Sequence, residues 1–357
     1  MKKTTLAIAI LAASASSAWA QSSVTLYGIV DAAVRYTTNN NGSNKQLIPG
    51  GMSESRLGLN VTEDMGGGLK ALVNMEHRFN SDTGTVAAAD FWRQAWVGLQ
   101  SNDFGQIRLG RQYNVLFDVY TSTFASFRYS PYIEAFKPEI GLSLGARQSN
   151  MVKYLAQAGN VYGELQVSAG EGTSASDKSA GGLLRYNDGM FGVGASYLQV
   201  TDLLGKKVKA TVIGGSYTDG PLYVNLSWGQ NKFDAGSQLG AAFTGALIKG
   251  YNSQPVLNAA ANDVKKRDMI MVGATYQITP QLNLGGQYWR AEQTHYSPAL
   301  ANVKSKGDYL AFVADYAFSK RTDGYVEVDY TKHDGAVTFA NGATKRGGSM
   351  VGLRHRF

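Results

Sequence analysis

The sequence has no cysteine, and only 7 prolines and 4 histidines in 357 residues. Without cysteine the chain can form neither a disulfide scaffold nor a thiolate metal site, and it has no thiol nucleophile. The histidines lie at positions 77, 295, 333 and 355, too far apart in the sequence to form a local pair of metal ligands. We therefore expect no metal site and no cofactor.

Charged residues are also few, and long apolar runs are missing. Only 17% of the residues are charged, whereas about 25% is usual in soluble proteins. No run of about 18 uncharged apolar residues follows residue 20, which excludes helical membrane spans. The chain is instead rich in glycine (42) and tyrosine (20). Tyrosine favours strands, so this composition favours β structure.

Residues 1–20, MKKTTLAIAILAASASSAWA, have the features of a cleaved secretory signal: two lysines, a short apolar run and a small-residue cleavage site. The expected mature domain is therefore 21–357. Loss of Lys2 and Lys3 lowers the formal charge from +7 to about +5. This mildly basic chain gives no reason to expect a nucleic-acid partner, and no histidine is placed to act as a catalytic base, so we expect no enzyme activity.

From Val24 onward, apolar and polar residues alternate over segments of about ten residues, as expected for strands with two different faces. After Ser53, for example, Arg56 falls on the polar face, whereas Leu57 and Leu59 fall on the apolar face. Seven short turns alternate with eight long connections, which predicts about sixteen strands. The turns are 63–68, 101–105, 157–160, 187–189, 218–221, 279–280 and 319–324; the long connections are about 37–53, 80–90, 114–147, 171–177, 201–206, 233–264, 295–305 and 335–344.

An even strand number, with short turns at one end and long loops at the other, is typical of an outer-membrane β-barrel. Hydrocarbon offers no hydrogen-bond partners, so strands cross it only as a closed sheet without a free edge. About sixteen strands enclose a lumen that side chains cannot fill, and water occupies it. Aromatic residues near strand ends, such as Tyr27, Tyr197, Tyr276 and Tyr325, fit interfacial girdles.

Five segments carry a family resemblance. SSVTLYGIVDAAV (22–34), SRLGLNVTEDMGGGLKALVNME (55–76), WVGLQSNDFGQIRLGRQ (96–112), SNMVKY (149–154) and GLRHRF (352–357) together resemble the general diffusion porins of the β-proteobacterial outer membrane. The resemblance implies a 16-stranded antiparallel barrel, a homotrimer, and a third extracellular loop that folds into the lumen. The matching loop is 114–147. The implied function is passive diffusion of small hydrophilic solutes and inorganic ions through a Gram-negative outer membrane.

The resemblance also implies a set of constriction residues. Similar porins with anion preference carry wall arginines opposed by acidic residues. Arg56, Arg93 and Arg147 match the wall arginines, and Glu76 matches an acidic residue, although alternation does not decide where Arg93 points. Arg78 and Arg108 join them by alternation. The acidic residue of the loop is assigned to Asp118, with Glu134 and Glu139 as open alternatives.

The terminal Phe357 resembles the C-terminal signature that barrel-assembly machinery recognises. Outer-membrane lipid and lipopolysaccharide are further expected partners. Two alternatives to a non-specific pore stay open. One is a channel selective for sugars or organic anions, favoured by the many aromatic residues in 114–147, and the other is a barrel whose long loops act as an adhesin or receptor.

Overall fold

The computed structural model of the protein describes residues 22–38, 44–170, 178–237, 263–300, 302–335, 338–339 and 341–357. The expected signal segment 1–20 lies outside the described residues, as do the connection 171–177 and residues 238–262 of the connection 233–264. Within the described ranges, no helix is long and apolar enough to span a bilayer.

Strands make up nearly all of the described regular structure. They are β1 Ser23–Thr37, β2 Asn44–Ile48, β3 Arg56–Gly66, β4 Leu69–Arg78, β5 Trp92–Ser101, β6 Gly105–Tyr113, β7 Arg147–Ala158, β8 Val161–Ser168, β9 Lys178–Asn187, β10 Phe191–Thr201, β11 Lys207–Asp219, β12 Leu222–Phe233, β13 Val264–Gln277, β14 Leu282–His295, β15 Ser305–Ala317, β16 Thr322–Asp334 and β17 Lys345–Arg356. Helix α1, Val115–Thr123, and a 3₁₀ helix, Pro138–Leu142, lie between β6 and β7.

The sheet closes on itself. From β3 onward each strand pairs antiparallel with the next, and β17 pairs with β1 from Ile29↔Arg356 to Thr37↔Gly348. On its other side, β1 pairs with β3 through residues 23–29 and with β2 through residues 33–37. Seventeen strand segments therefore fill sixteen barrel positions, which confirms the predicted closed antiparallel barrel.

The predicted alternation of connections is confirmed for the seven short turns. The connection predicted over 37–53 is wrong in its extent, because β2 lies inside it. In the described part of this connection, the chain leaves the wall from residue 49 to 55. β2 and β3 together make one interrupted strand position. The interruption brings seven residues, 49–55, out of the sheet.

The two faces of the wall differ as the alternation predicts. On β12, Leu226 is 59% exposed on the outer face, whereas its neighbour Ser227 is 2% exposed on the inner face. The girdle prediction is wrong for Tyr27 and Tyr325, which lie on the inner face. There Tyr27 donates a hydrogen bond to Glu76, and Tyr325 donates one to Asp31. They share the alternation of inward residues on β1 and β16, which overrides their position near strand ends.

Candidate functional site

The connection between β6 and β7 begins with a capped helix. The Asn114 side chain accepts hydrogen bonds from the backbone N–H groups of Leu116 (3.1 Å) and Phe117 (3.0 Å), which satisfies donors left free at the start of α1. The chain then runs through the 3₁₀ helix and re-enters the wall at Arg147. Residues 114–146 are called the lumen loop below.

The lumen loop lies against the inner face of the barrel on several sides. Side chains of β8, β9, β11, β12, β13 and β17 all reach it. The contacts are Gln166 Oε1 to Val115 N (2.8 Å), Arg185 Nη1 to Ser122 O (2.8 Å), Ser216 Oγ to Thr123 O (2.5 Å), Tyr223 Oη to Ala125 O (2.7 Å), Arg267 Nη1 to Gly141 O (3.1 Å) and Arg354 Nη1 to Ser130 Oγ (3.2 Å). A loop with contacts on such widely separated strands crosses the interior of the barrel.

Most aromatic side chains of the lumen loop are buried in its own packing. Phe124 and Phe127 are fully buried, and Phe136 packs against Trp289 of β14 with ring centroids 5.8 Å apart. A sugar track would need exposed ring faces along the lumen. These side chains instead hold the loop in place.

The serine in the loop sequence GLSLG (141–145) has the spacing of a nucleophile elbow. Ser143 lies at the end of the 3₁₀ helix rather than on a strand-to-helix turn, and its hydroxyl donates to the Ile140 carbonyl (2.8 Å). Within the described part of the chain, Ser143 forms no hydrogen bond with a histidine. Its surroundings are those of a loop-capping serine.

Residues 49–55, called the inward segment, are fixed by Asp31 of β1. The Asp31 carboxylate accepts from the backbone N–H groups of Gly51 (3.2 Å), Met52 (3.1 Å) and Ser53 (2.7 Å), and from the Tyr325 hydroxyl (2.5 Å). Asp31 and Tyr325 are both buried. A carboxylate that accepts several hydrogen bonds can be buried at low cost, so Asp31 orients the whole segment.

The inward segment in turn holds the lumen loop. The Gly51 carbonyl accepts from Ala135 N (2.9 Å), and the Met52 carbonyl accepts from Ser130 Oγ (3.1 Å). Glu54, two residues after Met52, places its carboxylate beside Arg78 of β4 and Arg93 of β5. One segment therefore positions both the loop and an acidic group.

Arg93 is the centre of the arginine cluster and is only 2% exposed. Its guanidinium lies 3.4 Å from Glu54 Oε2 and 3.2 Å from Glu76 Oε1, and it donates to the Tyr132 hydroxyl of the lumen loop (3.1 Å). Tyr27 also donates to Glu76 (3.1 Å). The expected inward Arg93 and Glu76 are thus brought together in one contact.

A β-bulge explains why alternation could not place Arg93. The register between β4 and β5 shifts after Glu76↔Gln94, so that His77 faces Trp92 and Arg93 has no partner residue. A bulge inserts one unpaired residue and lets two successive side chains leave the regular alternation. Arg93 uses that freedom to face the lumen.

Arg56 and Arg147 flank Arg93, and in the described ranges neither has a carboxylate partner of its own. Arg147 lies over the Tyr113 ring at 5.6 Å, and Arg93 lies over the same ring at 5.5 Å. Arg56 donates from Nε to the Glu54 carbonyl (3.0 Å). Among the described residues, neither Arg56 nor Arg147 has a carboxylate oxygen within 4.0 Å. These two guanidinium groups supply the uncompensated positive charge of the site.

Arg78 joins the cluster through two acids. It lies 3.4 Å from Glu54 Oε1 and pairs closely with Asp90, which also pairs with Arg111. Burial disfavours the charged form of Glu54, but Arg93 and Arg78 outweigh burial and lower the pKa of Glu54 to about 2. Glu54 therefore stays ionised at neutral pH. The stability that its ion pairs contribute is lost as the pH falls from its ordinary pKa of about 4.3 toward about 2.

Arg108 and Asp118, which were expected in the arginine cluster, lie elsewhere. Arg108 stacks on Trp96 (4.3 Å) rather than joining the other arginines. Asp118 does not face the cluster: Lys153 of β7 lies 2.5 Å from it and also 2.9 Å from Glu164. Placing Asp118 opposite the arginines was wrong because α1 turns this residue toward the β7–β8 wall.

Among the described residues, neither of the two alternatives to Asp118 pairs with an arginine. Glu134 pairs with Lys137 inside the loop. Glu139 accepts from Ser126 Oγ (3.2 Å), and burial raises its pKa to about 7. The acidic partners of the cluster are Glu76 of β4 and, from other connections, Glu54 and Asp90. Alternation already places Glu54 on the polar face with Arg56, whereas no sequence signal marks Asp90.

Comparison with known proteins identifies the family. A family model described as Gram-negative porin matches residues 7–336. An outer membrane porin protein of Bordetella pertussis is 30% identical over the whole of both chains. The chain belongs to the Gram-negative porin family. This places the porin in the outer membrane of a Gram-negative bacterium and confirms the sequence resemblance.

Further relatives agree on the fold. Outer membrane porin protein 32 of Delftia acidovorans is 29% identical to this porin over both full lengths. The solved structure of an anion-selective porin from Comamonas acidovorans has a TM-score of 0.70 and 26% identity, and the match covers 94% of this chain and 100% of that one. The trimer form of OmpT from Vibrio cholerae has a TM-score of 0.68 at 17% identity, covering 94% of this chain and 99% of that one, and so shows the fold alone.

Proposed function

We propose that this porin is an anion-preferring channel for passive diffusion of small hydrophilic solutes, narrowed by the lumen loop beside the arginine cluster. The observation that carries the proposal is the charge balance there. Arg56, Arg78, Arg93 and Arg147 face the lumen, against the carboxylates of Glu54 and Glu76, while Asp90 is shared between Arg78 and Arg111.

The fixed positive charge acts through the narrowness of the passage. Charged groups set by low-dielectric walls focus the field and raise the local concentration of the opposite ion. At physiological salt the Debye length is about 8 Å, so only charges beside the constriction weigh heavily. Arg108, in its stack with Trp96, is therefore expected to matter less than Arg56 or Arg147.

The direct test is the reversal potential of the purified porin in a planar bilayer under a tenfold KCl gradient. We expect a stable conductance and a potential of the anion-selective sign, below the ideal limit of about 59 mV. A potential of the cation-selective sign would contradict the proposed role of the arginines.

We also propose a homotrimer and a role for Phe357 in assembly. The trimer form of the Vibrio cholerae OmpT structure supports the first. Phe357 is 43% exposed on the outer face and exchanges two backbone hydrogen bonds with Gly28 (3.1 Å each), so it lies where β17 meets β1. Deleting Phe357 should lower the amount of folded porin in cells. The yield of refolding in detergent should stay unchanged. Equal amounts in cells would contradict this role.

A further inference from the structure

Two arginines outside the arginine cluster point into the lumen between α1 and the end of the barrel that carries the short turns. Arg108 of β6 lies three residues after the turn at 101–105, and Arg185 of β9 lies two residues before the turn at 187–189. Their chain neighbours Ile107 (40% exposed) and Leu184 (62% exposed) face outward. Because side chains alternate along a strand, both guanidinium groups face inward.

The two acids whose charge reaches Arg108 are already paired with a lysine. Lys153 of β7 lies 2.5 Å from Asp118 and 2.9 Å from Glu164. In the described part of the chain, no carboxylate oxygen lies within 4.0 Å of Arg108 or Arg185. The positive charge of these two arginines therefore remains free to act on a solute.

Each of these arginines lies over an aromatic ring of a neighbouring part of the wall. The guanidinium carbon of Arg108 lies 4.3 Å from the centre of the Trp96 ring, and that of Arg185 lies 4.7 Å from the centre of the Tyr162 ring. All four side chains are partly exposed. A planar guanidinium group has two faces on which rings can stack. These four residues, which offer cations and ring faces side by side, are called the aromatic patch.

The two pairs belong to one continuous surface. Tyr162 lies directly opposite Arg185 on the neighbouring strand, and its hydroxyl donates to Glu164 (2.7 Å). Glu164 is paired with Lys153, which lies directly opposite Arg108. The charge of Arg108 also acts on the Tyr162 hydroxyl. A solute can therefore meet both arginines and both rings within one part of the lumen.

Hydrogen-bond donors exceed acceptors in the aromatic patch. Trp96 Nε1 and the Nε atoms of Arg108 and Arg185 are buried donors that have no acceptor among the described residues. Indole and guanidinium groups donate and do not accept, whereas an ionised carboxylate only accepts. The chemistry of the patch is therefore complementary to a carboxylate.

The inner faces of the wall differ in what they offer to a passing solute. Along β15, every inward residue from Ser305 to Asp315 is buried. The side chains of the aromatic patch are partly exposed instead. A solute that has passed the lumen loop therefore meets the aromatic patch rather than the β15 wall.

We propose that the aromatic patch binds planar aromatic carboxylates, of the benzoate type, on their way through the pore. The carboxylate would accept charge-assisted hydrogen bonds from the guanidinium groups. The ring would stack on a guanidinium or aromatic face. An inorganic anion would use the charge alone, and a saturated acid would leave the ring faces unused. This inference rests on the proposed function, because the solute has to enter a pore that conducts anions.

The test is single-channel recording in KCl with increasing concentrations of benzoate or of cyclohexanecarboxylate. The two acids share a carboxylate on a ring of the same size, but only the benzoate ring is aromatic. Benzoate that resides in the aromatic patch should interrupt the chloride current. We expect half-block by benzoate at a concentration about tenfold lower than by cyclohexanecarboxylate, as a cation–ring contact predicts.

Two double variants separate the charge from the rings. Arg108→Gln/Arg185→Gln should raise the half-blocking concentration of benzoate about tenfold or more, because charge-assisted hydrogen bonds are lost. Trp96→Leu/Tyr162→Leu keeps the arginines and removes the aromatic faces beneath them. It should bring the half-blocking concentrations of the two acids close together.

Arg128→Gln is the matched control. Arg128 is an exposed arginine of the lumen loop at the same end of the barrel, where it donates to the Gly220 carbonyl (3.4 Å). Like the arginines of the aromatic patch, it has no carboxylate oxygen within 4.0 Å among the described residues. Removing its charge should leave the block by benzoate unchanged.

Fluorine NMR of fluorobenzoate with the refolded porin in detergent gives a second readout that needs no ion flow. The fluorine line should broaden with the wild type and with Arg128→Gln. It should stay narrow with Arg108→Gln/Arg185→Gln. A line that broadens equally with all three proteins would contradict binding at the aromatic patch.

Three results of the recordings would overturn the proposal. Equal half-blocking concentrations of the two acids in the wild type would show that no ring is recognised. An equal loss of block in Arg128→Gln would show that general lumen charge suffices. Loss of block in Arg56→Gln/Arg147→Gln but not in Arg108→Gln/Arg185→Gln would place the solute at the arginine cluster. Cation selectivity in KCl together with the expected benzoate results would contradict the proposed function and still support this inference.

Discussion

Two sets of inward arginines line this barrel, and their partners differ. At the seam where β1 meets β16 and β17, Arg35 pairs with Glu327 (3.1 Å) and closely with Asp329, and Arg354 lies 2.8 Å from Asp323. In the cluster beside the lumen loop, Arg56 and Arg147 lack such partners among the described residues. An inward arginine is therefore structural or functional according to the carboxylates around it, which composition and alternation do not reveal.

The largest expected effect is on stability at the seam. Arg35→Gln would leave Glu327 and Asp329 buried side by side without their cation. Breaking a buried ion pair in this way costs about 3–5 kcal/mol. We expect a clear fall in the temperature at which the folded barrel unfolds in SDS, seen as an electrophoretic mobility change.

Arg56→Gln is the matched control for the seam variant. It removes an arginine that has no ion pair among the described residues, so the unfolding temperature of the variant should stay close to that of the wild type. If both variants unfold at the same lowered temperature, the distinction between the two sets of arginines fails.

A smaller effect is expected from Asp31→Asn. The amide NH₂ would replace one carboxylate oxygen and place a donor against the backbone N–H of Gly51 or against those of Met52 and Ser53, at a cost of about 1–3 kcal/mol. The inward segment would loosen and release Ser130 and Ala135 of the lumen loop. Single-channel recordings should show more open-channel noise and more frequent sub-conductance states.

Tyr325→Phe tests the same link while the ring and the Asp31 carboxylate stay. It removes the hydroxyl that donates to Asp31 and accepts from the backbone N–H groups of Gly51 (3.1 Å) and Met52 (3.3 Å). The open-channel noise of Tyr325→Phe should lie between that of the wild type and that of Asp31→Asn. Quiet traces in both variants would show that the inward segment does not hold the loop.

Much of the fold follows from periodicity in the sequence. Turns such as TDGP (218–221) need glycine, proline or aspartate, and strands of a barrel need one apolar and one polar face, so both leave local signals. The interruption at 49–55 was missed because its residues are held by Asp31 and Tyr325. Those contacts lie far away in the sequence, and nothing local marks them.

The site was predicted less completely. Family resemblance brought Arg56, Arg93, Arg147 and Glu76 together, as the structure places them. Asp118 was misplaced because the orientation of α1 depends on its contact with Lys153 of β7, which lies 35 residues further along the chain. The direction of Arg93 depends on a one-residue bulge, which alternation cannot resolve.

The central claim is that uncompensated arginines beside the lumen loop set the ion preference. It is tested most directly by comparing reversal potentials of Arg56→Gln/Arg147→Gln and Glu54→Gln with the wild type in the same KCl gradient at neutral pH. Glu54 is ionised there, so its removal should shift the potential toward the anion-selective limit, whereas the arginine variant should shift it toward zero. Arg290→Gln, on the outer face, should change nothing. Unchanged potentials in both lumen variants, or shifts of the same sign, would contradict the claim.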